Sequence, residues 1–195
     1  MYADPSGHMP EWLKWTIGGT IIGASIILTI LTGGAAAGTI AAAVHTVATG
    51  VMIGSVSSAT VGTIFSGITI NQEGFGWSWD QASTGFMLGS ITGTISGIFG
   101  GVLDMIGVAA ESIVSRVVMS GVDGILGLGS YLSQNLINHT TNNISVLGAV
   151  VSVAGGLFDL CEPMYKWFDA FWASTIAAEI ALIYDAIRTA IENKK

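Results

Sequence analysis

The sequence is poor in charge, in proline and in cysteine. Only 10% of its 195 residues are charged, against about a quarter in a typical soluble domain. The single cysteine, Cys161, excludes an internal disulfide, and no Cys/His spacing suits zinc. Six basic residues face 13 acidic ones, which argues against nucleic acid, because phosphates require clustered Lys and Arg. We therefore expect no metal site, no cofactor and no nucleic-acid partner.

The scarcity of proline favours helices. Proline occurs only at Pro5, Pro10 and Pro163, so the stretch 11–162 has none. That stretch is rich in Ala, Ile, Leu and Gly, and it sustains no strict alternation of polar and apolar residues. The predicted fold is all-α, with glycine-rich hydrophobic helices packed as hairpins or as a bundle.

Long uncharged segments predict membrane-length helices. No Asp, Glu, Lys or Arg lies between Lys14 and Glu73, and a spanning helix needs about 20 apolar residues. Two helices fit there, at 12–31 and at about 35–70. Lys14, at the start of the first, could extend its amine to the water interface.

The rest of the chain divides at polar segments. Residues 71–83 form a polar and aromatic break, in which Ser78 and Gln81 have the spacing of a capping box. We therefore expect a third helix from near Trp79, uncharged between residues 81 and 103. A polar segment at 133–143 is predicted to be a loop between two shorter apolar pieces, at about 112–132 and 144–160.

Small residues recur at every fourth position in two segments. Glycines spaced in this way leave a slanted groove on a helix that lets another backbone approach closely. The predicted packing glycines are Gly85, Gly89, Gly93, Gly97 and Gly101 in the third helix, and Gly34, Gly38, Gly50, Gly54 and Gly62 in and before the second. We expect the two segments to associate.

Tryptophans flank the apolar segments. Trp12, Trp15, Trp77, Trp79, Trp167 and Trp172 are expected at a membrane–water interface. The last segment, 163–192, is predicted to be an amphipathic helix, with an isoleucine stripe and charged residues mostly on other faces. Two alternatives remain open for it, docking on a helical core or lying in a membrane interface.

No catalytic constellation is evident. The sequence contains no carboxylate pair, nucleophile elbow or phosphate-binding loop with lysine, so we expect no enzymatic activity. The three histidines, His8, His45 and His139, lie far apart in sequence. His45 lies in an apolar segment, where a hydrogen bond between helices is the more common role, although an ionisable group inside a membrane is a functional candidate.

The N-terminal residues carry a resemblance to a known family. YADPSGHMPEW, residues 2–12, resembles the D-P-x-G junction that ends the repeat core of Rhs/YD-repeat polymorphic toxins. The later segments WLKWTIGG, TGGAAAG and WDQASTGFMLGSITGTISG are also similar to such proteins, so the resemblance covers about residues 2–101.

This resemblance implies a cargo role. In that family a β cage encloses a C-terminal cargo, and some members cleave themselves at the junction. Asp4 could belong to that apparatus, with the cut just after Gly7. Cargo is usually an enzyme, but some cargo permeabilises membranes. The implied divisions are 1–11 as the tail of the junction, 12–110 as a glycine-zipper region and 111–195 as a C-terminal helical region.

The resulting functional prediction is a membrane-inserting, pore-forming or depolarising toxin region released from an Rhs-type protein and delivered to a bacterial membrane. The expected partners are the lipid bilayer, further copies of the chain, the Rhs shell and an immunity protein. Two alternatives remain: a non-toxic pre-toxin or translocation segment, and a soluble helical bundle.

Overall fold

The computed structural model describes residues 9–34, 38–71, 74–108, 112–138, 144–154 and 169–192. These residues form six helices and one two-stranded hairpin, so the predicted all-α class is confirmed. The helices are α1 (Glu11–Gly34), α2 (Thr39–Gly67), α3 (Trp79–Met105), α4 (Ile113–Ile137), α5 (Val146–Ala154) and α6 (Asp169–Glu192), and the strands are β1 (Ile68–Asn71) and β2 (Gly74–Trp77).

The hairpin corrects one expectation, because residues 68–70 were expected to be helical. Instead α2 ends at Gly67, and β1 pairs antiparallel with β2, with Ile68 opposite Trp77. The β-branched Ile68 and Thr69 favour extended backbone. Gly74 returns the chain with a φ of +125°, a conformation that other residues rarely adopt.

The start of α3 agrees with the capping prediction. Ser78 has extended backbone, and its Oγ accepts a hydrogen bond from the Gln81 amide at 3.3 Å. Asp80 in the first turn adds a favourable charge at the positive end of the helix. The predicted boundary near Trp79 is confirmed.

The loop prediction at 133–143 was wrong over residues 133–137, because α4 continues to Ile137. The polar side chains there find partners inside the bundle. Gln134 and Asn135 are both buried. Gln134 Nε2 donates to Glu179 at 2.7 Å, and Asn135 Nδ2 donates to the Tyr131 carbonyl at 3.0 Å. The first part of the polar run is therefore helical, with Gln134 and Asn135 on the inner face of α4, while residues 139–143 lie outside the described residues.

The helices form one packed bundle. The hairpin connects α2 to α3, which pack against each other in antiparallel orientation. α1 packs on both helices. α4 packs on α3, while α6 packs on α4, α5 and α2. Residues before 110 and after 111 therefore contact each other extensively. A small apolar core lies between α4 and α6, centred on Tyr131, Ala178 and Ala181.

Four of these helices are long and apolar enough to cross a membrane. The candidate spans are Glu11–Gly33, Ile40–Gly67, Trp79–Met105 and Ile113–Ile137, with lengths of 23, 28, 27 and 25 residues. At about 1.5 Å per residue each exceeds the hydrocarbon thickness of a bilayer, about 30 Å. α6 is not among these spans.

Candidate functional site

The bundle is polar inside and apolar outside. Its largest fully buried side chains are mostly polar or charged: Tyr131, Lys14, Gln134, Glu179, Asn135, Thr84 and Asp123. Its exposed side chains include many large aliphatic ones, such as Ile27, Ile30, Leu31, Ile40, Ile113, Ile125, Leu136 and Val146. A water-soluble protein normally has the reverse distribution, because apolar burial drives its folding.

The glycine repeat of α3 lies directly on the backbone of α2. A Cβ added at any of its five positions would come within 3.0 Å of an α2 backbone atom. The pairs, in order, are Gly85 with Gly62, Gly89 with Ser58, Gly93 with Gly54, Gly97 with Gly50, and Gly101 with Val47. We call this contact the glycine ladder. It brings together eight of the ten predicted packing glycines, and it does so within one chain.

The other two glycines are not part of the ladder. A Cβ at Gly38 would meet no atom within 4 Å. Gly34 ends α1, outside the residues whose surroundings are described. The ladder thus begins at Val47, about two helical turns beyond the start of α2 at Thr39.

Three of the six tryptophans lie near one end of the bundle. Trp12 opens α1, Trp77 ends β2 and Trp79 opens α3, and all three are exposed. The rings of Trp77 and Trp79 pack edge to face with centroids 5.6 Å apart. Trp15 is only partly exposed, and it packs on Phe86 at 4.7 Å. Trp167 and the side chain of Trp172 lie outside the described residues.

The inner face of α4 carries a line of polar side chains, which we call the polar seam. The polar seam consists of Ser115, Asp123, Ser130, Tyr131, Gln134 and Asn135, all buried. From Ser115 to Asn135 the helix rises about 30 Å. The polar seam is therefore about as long as the hydrocarbon core of a bilayer is thick.

Three residues of the polar seam, Asp123, Tyr131 and Gln134, bond to side chains of other helices. Near the middle of α4, Asp123 Oδ1 accepts from Ser96 of α3 at 2.9 Å. Two turns later the Tyr131 hydroxyl donates to Asp185 Oδ2 of α6. The same hydroxyl accepts from the Ser145 amide at 3.0 Å, which ties the segment before α5 to the polar seam.

The next turn of the seam surrounds a buried carboxyl group, that of Glu179 in α6. Its Oε1 lies 2.7 Å from both Ser66 Oγ of α2 and Gln134 Nε2 of α4. Glu179 is only 1% exposed. Removal from water disfavours the charged form and raises the pKa of Glu179 to about 7, although both hydrogen bonds oppose this rise.

Lys14 was expected to reach the water interface, but the structure buries it. Only 1% of Lys14 is exposed, and its Nζ lies 2.6 Å from Asp80 Oδ1 and 2.8 Å from Thr84 Oγ1. The Thr84 hydroxyl also lies 3.0 Å from Asn138 Oδ1, at the end of α4. The ion pair of Lys14 with Asp80 joins the starts of α1 and α3. It lies at the end of the bundle that carries Trp12, Trp77 and Trp79.

The C-terminal helix docks on the bundle through its small and acidic face. Ala177, Ala178 and Ala181 are buried, as are the two carboxyl groups that contact the polar seam. Of the isoleucine stripe predicted from the sequence, Ile180, Ile187 and Ile191 are exposed, whereas Ile176 and Ile183 are partly buried. The contacts of α6 with α4, α5 and α2 agree with the docking alternative. A location in a membrane interface stays a prediction.

The remaining sequence candidates do not join this site. His45 is partly exposed, and its Nδ1 lies 3.2 Å from Thr32 Oγ1 across the α1–α2 contact. Asp4, His8, His139 and Cys161 lie outside the described residues. Within the described segments, no group of three or more His, Cys, Asp or Glu residues could hold a metal ion.

Sequence reasoning missed the residues of the polar seam and their acidic partners. Asp123, Gly127, Tyr131 and Gln134 recur at helical spacing, which could have shown a polar helix face. The pattern was missed because residues 133–143 were expected to be a loop, which placed Gln134 outside the helix. Comparisons with protein-family models, with curated proteins and with solved structures found no match.

Proposed function

We propose that this chain is a membrane-embedded helical bundle that dissipates ion gradients across a bacterial membrane, without enzymatic activity. The observation that carries the proposal is the inverted polarity of the bundle. Large aliphatic side chains cover the outside, while Lys14, Asp123 and Glu179 are buried within it. In lipid this distribution is favourable, because hydrocarbon replaces water around the apolar surface.

The tryptophans support a specific placement. Exposed Trp12, Trp77 and Trp79 share one end of the bundle, and exposed Phe75 lies there on the hairpin. Aromatic side chains of this kind concentrate at membrane–water interfaces. The end of the bundle with the hairpin and the Lys14–Asp80 pair would therefore lie at one interface.

The polar seam supports ion conduction. Buried ionisable groups in membrane helices commonly line ion or proton pathways. Asp123, Tyr131 and Gln134 offer a series of polar groups along α4, and Glu179 and Asp185 border its later turns. Small cations or protons would pass along the seam, with further copies of the chain or small helix movements widening it.

The source of the chain is proposed from the resemblance at its N-terminus. Residues 1–11 would be the remnant of an Rhs core junction, in which Asp4 took part in release of the cargo. The Rhs shell would then have carried the bundle to a target bacterium. A membrane-bound immunity protein would protect the producing cell.

The test is an ion-flux assay with the purified chain in liposomes that hold a potassium diffusion potential. We expect wild type to collapse the potential. Replacing Asp123 or Gln134 of the seam by Leu should slow the collapse at least tenfold. Replacing exposed Ile125 on the outer face of α4 by Leu should leave it unchanged. A folded, inserted protein that leaves the potential intact at every lipid composition and pH would overturn the proposal.

A second candidate function is a pre-toxin or translocation segment without activity of its own. The glycine ladder favours it, because direct backbone contact leaves no space between α2 and α3. Expression in a bacterium separates the two. Growth arrest with depolarisation supports the conducting bundle, and harmless expression with membrane insertion supports the segment.

The soluble-bundle alternative has its own test. A chain that fractionates with membranes and resists alkaline extraction is embedded in lipid. A detergent-free monomer that ignores liposomes would instead support a soluble bundle, in spite of its apolar exterior.

A further inference from the structure

A cavity of about 160 Å³ lies where α2, α4 and α6 meet below the hairpin. Its wall includes Ser66, Gln134, Asn135, Asn138, Glu179 and Asp185. One water molecule needs only about 10–15 Å³ of such space. The cavity can therefore hold a small ion together with several waters.

Two buried carboxyl groups line this cavity, and each has one oxygen atom that could accept a ligand. Glu179 is 1% exposed and Asp185 is 3% exposed. Within the described part of the chain, Glu179 Oε2 and Asp185 Oδ1 have no hydrogen-bond partner. A buried carboxylate oxygen without a partner is costly, so each of these atoms has the capacity to accept a further ligand.

Of the residues described, none that lines the cavity is Lys, Arg or His. The exposed Arg188, one turn after Asp185 on α6, attracts that carboxyl group from outside the cavity. Lys14 is paired with Asp80, and Arg188 is paired with Glu192. Two ionised carboxyl groups in one buried cavity favour a bound cation, because desolvation otherwise disfavours their ionisation.

The chemistry of the wall selects the type of ion. Carboxylate, amide and hydroxyl oxygens are the ligands of hard cations. Ca²⁺ accepts six to eight such oxygens in flexible geometry and readily combines carboxylates, side-chain amides and waters, whereas Mg²⁺ demands a near-ideal octahedron. A divalent ion also balances both charges.

We propose that this cavity is a Ca²⁺-binding site, with Glu179 and Asp185 as the charged ligands and Gln134, Asn135 and Ser66 as the neighbouring oxygen donors. Because the site joins α6 to α2 and α4, bound Ca²⁺ would lock the C-terminal helix onto the bundle. The binding does not depend on ion conduction, so it goes beyond the function proposed above.

The test uses the purified full chain in detergent, stripped of metal by a chelator and titrated with CaCl₂ at pH 8 by calorimetry. We expect saturable binding of one Ca²⁺ and a rise in the melting temperature. Glu179→Gln and Asp185→Asn keep the size and shape of each side chain. Each should weaken the binding of Ca²⁺ at least tenfold.

Asp123→Asn is the matched control, because Asp123 is also a buried carboxyl group of the bundle but does not line the cavity. It should bind Ca²⁺ like wild type. Circular dichroism confirms that each variant is folded. Absence of binding by folded wild type, or equal binding by the double variant E179Q/D185N, would overturn the proposal.

The assay needs no membrane potential, so its failure and a failure of the ion-flux assay are separate results.

Discussion

The contact of α3 with α2 and the contact of α4 with α6 hold helices together in opposite ways. Along the glycine ladder, side chains are absent and the backbones touch. Between α4 and α6, long polar side chains fill the space and bond to one another. The ladder depends on shape alone, which does not change with pH. The α4–α6 contact depends on protonation and charge, which makes it the part of the bundle that can respond to ions.

The largest expected effect breaks the ladder. Gly93→Ala should lower the free energy of unfolding by about 3 kcal/mol or more, because the new methyl group would overlap the Gly54 carbonyl. Gly100→Ala is the matched control on the same helix, since a Cβ there meets nothing within 4 Å. It should raise stability by up to about 1 kcal/mol. Denaturant titration in detergent micelles measures both, and equal effects would contradict the ladder.

The next effect tests the pH response of the α4–α6 contact. The folded state raises the pKa of Glu179 to about 7 from 4.5, so between these values it binds the proton more tightly than the unfolded chain does. Stability from this group is complete below about pH 4.5 and is lost as the pH rises through 7. The loss should approach about 3 kcal/mol.

The measurement compares unfolding free energies at pH 4.5 and pH 7.5 in the presence of a chelator. Glu179→Gln should remove most of the difference in unfolding free energy between the two pH values. Asp185→Asn should retain most of it, although Asp185 lines the same cavity. A wild-type protein whose stability rises with pH over this range would show that Glu179 stays ionised in the bundle.

A smaller effect concerns one hydrogen-bonded pair. Tyr131→Phe removes the hydroxyl that bonds to Asp185 and to the Ser145 amide, at a cost of about 2 kcal/mol. Tyr184→Phe, on the exposed side of α6, should be neutral. A double-mutant cycle of Y131F with D185N should show a coupling of about 1 kcal/mol. Additive effects would mean that the pair does not hold α4 and α6 together.

The smallest expected effect is the loss of a helix cap, which should cost the same at the start of α3 and at the start of α4. Ser78 caps α3 and Ser112 caps α4 in the same way, with Oγ accepting from Gln81 at 3.3 Å and from Ser115 at 3.1 Å. Ser→Ala at either position should cost about 1 kcal/mol. Unfolding free energies that differ widely would show that the ends of these helices, and not only their interfaces, distinguish the two regions.

Much of the fold follows from local pattern. The absence of proline over 11–162 and the charge-free runs predicted helices, and the capping box located the start of α3 at Trp79. The two errors share a cause. Residues 68–70 were expected to be helix and residues 133–137 loop, but pairing with β2 decided the first and burial against α6 decided the second.

The candidate site was much less accessible to prediction than the fold. Its members come from α2, α4 and α6, and the bonds that join them span 45 to 113 residues of the chain. In the sequence, Glu179 and Asp185 look like solvated charges opposite an isoleucine stripe. Only packing reveals that Glu179 and Asp185 are inside, while Ile180, Ile187 and Ile191 are outside.

The sequence by itself determined the helical class, three of the four membrane-length helices and the spacing of the small residues, because these depend on neighbours within a few turns. The tertiary structure decided which backbones the glycines meet, that Lys14 is buried, and that two carboxyl groups share one cavity. Those outcomes depend on which helix faces lie against each other. The helix faces that pack together are those for which the cost of removing polar groups from water is offset by their new hydrogen bonds. The two partners of such a bond lie on different helices, so no single segment of the sequence reveals it.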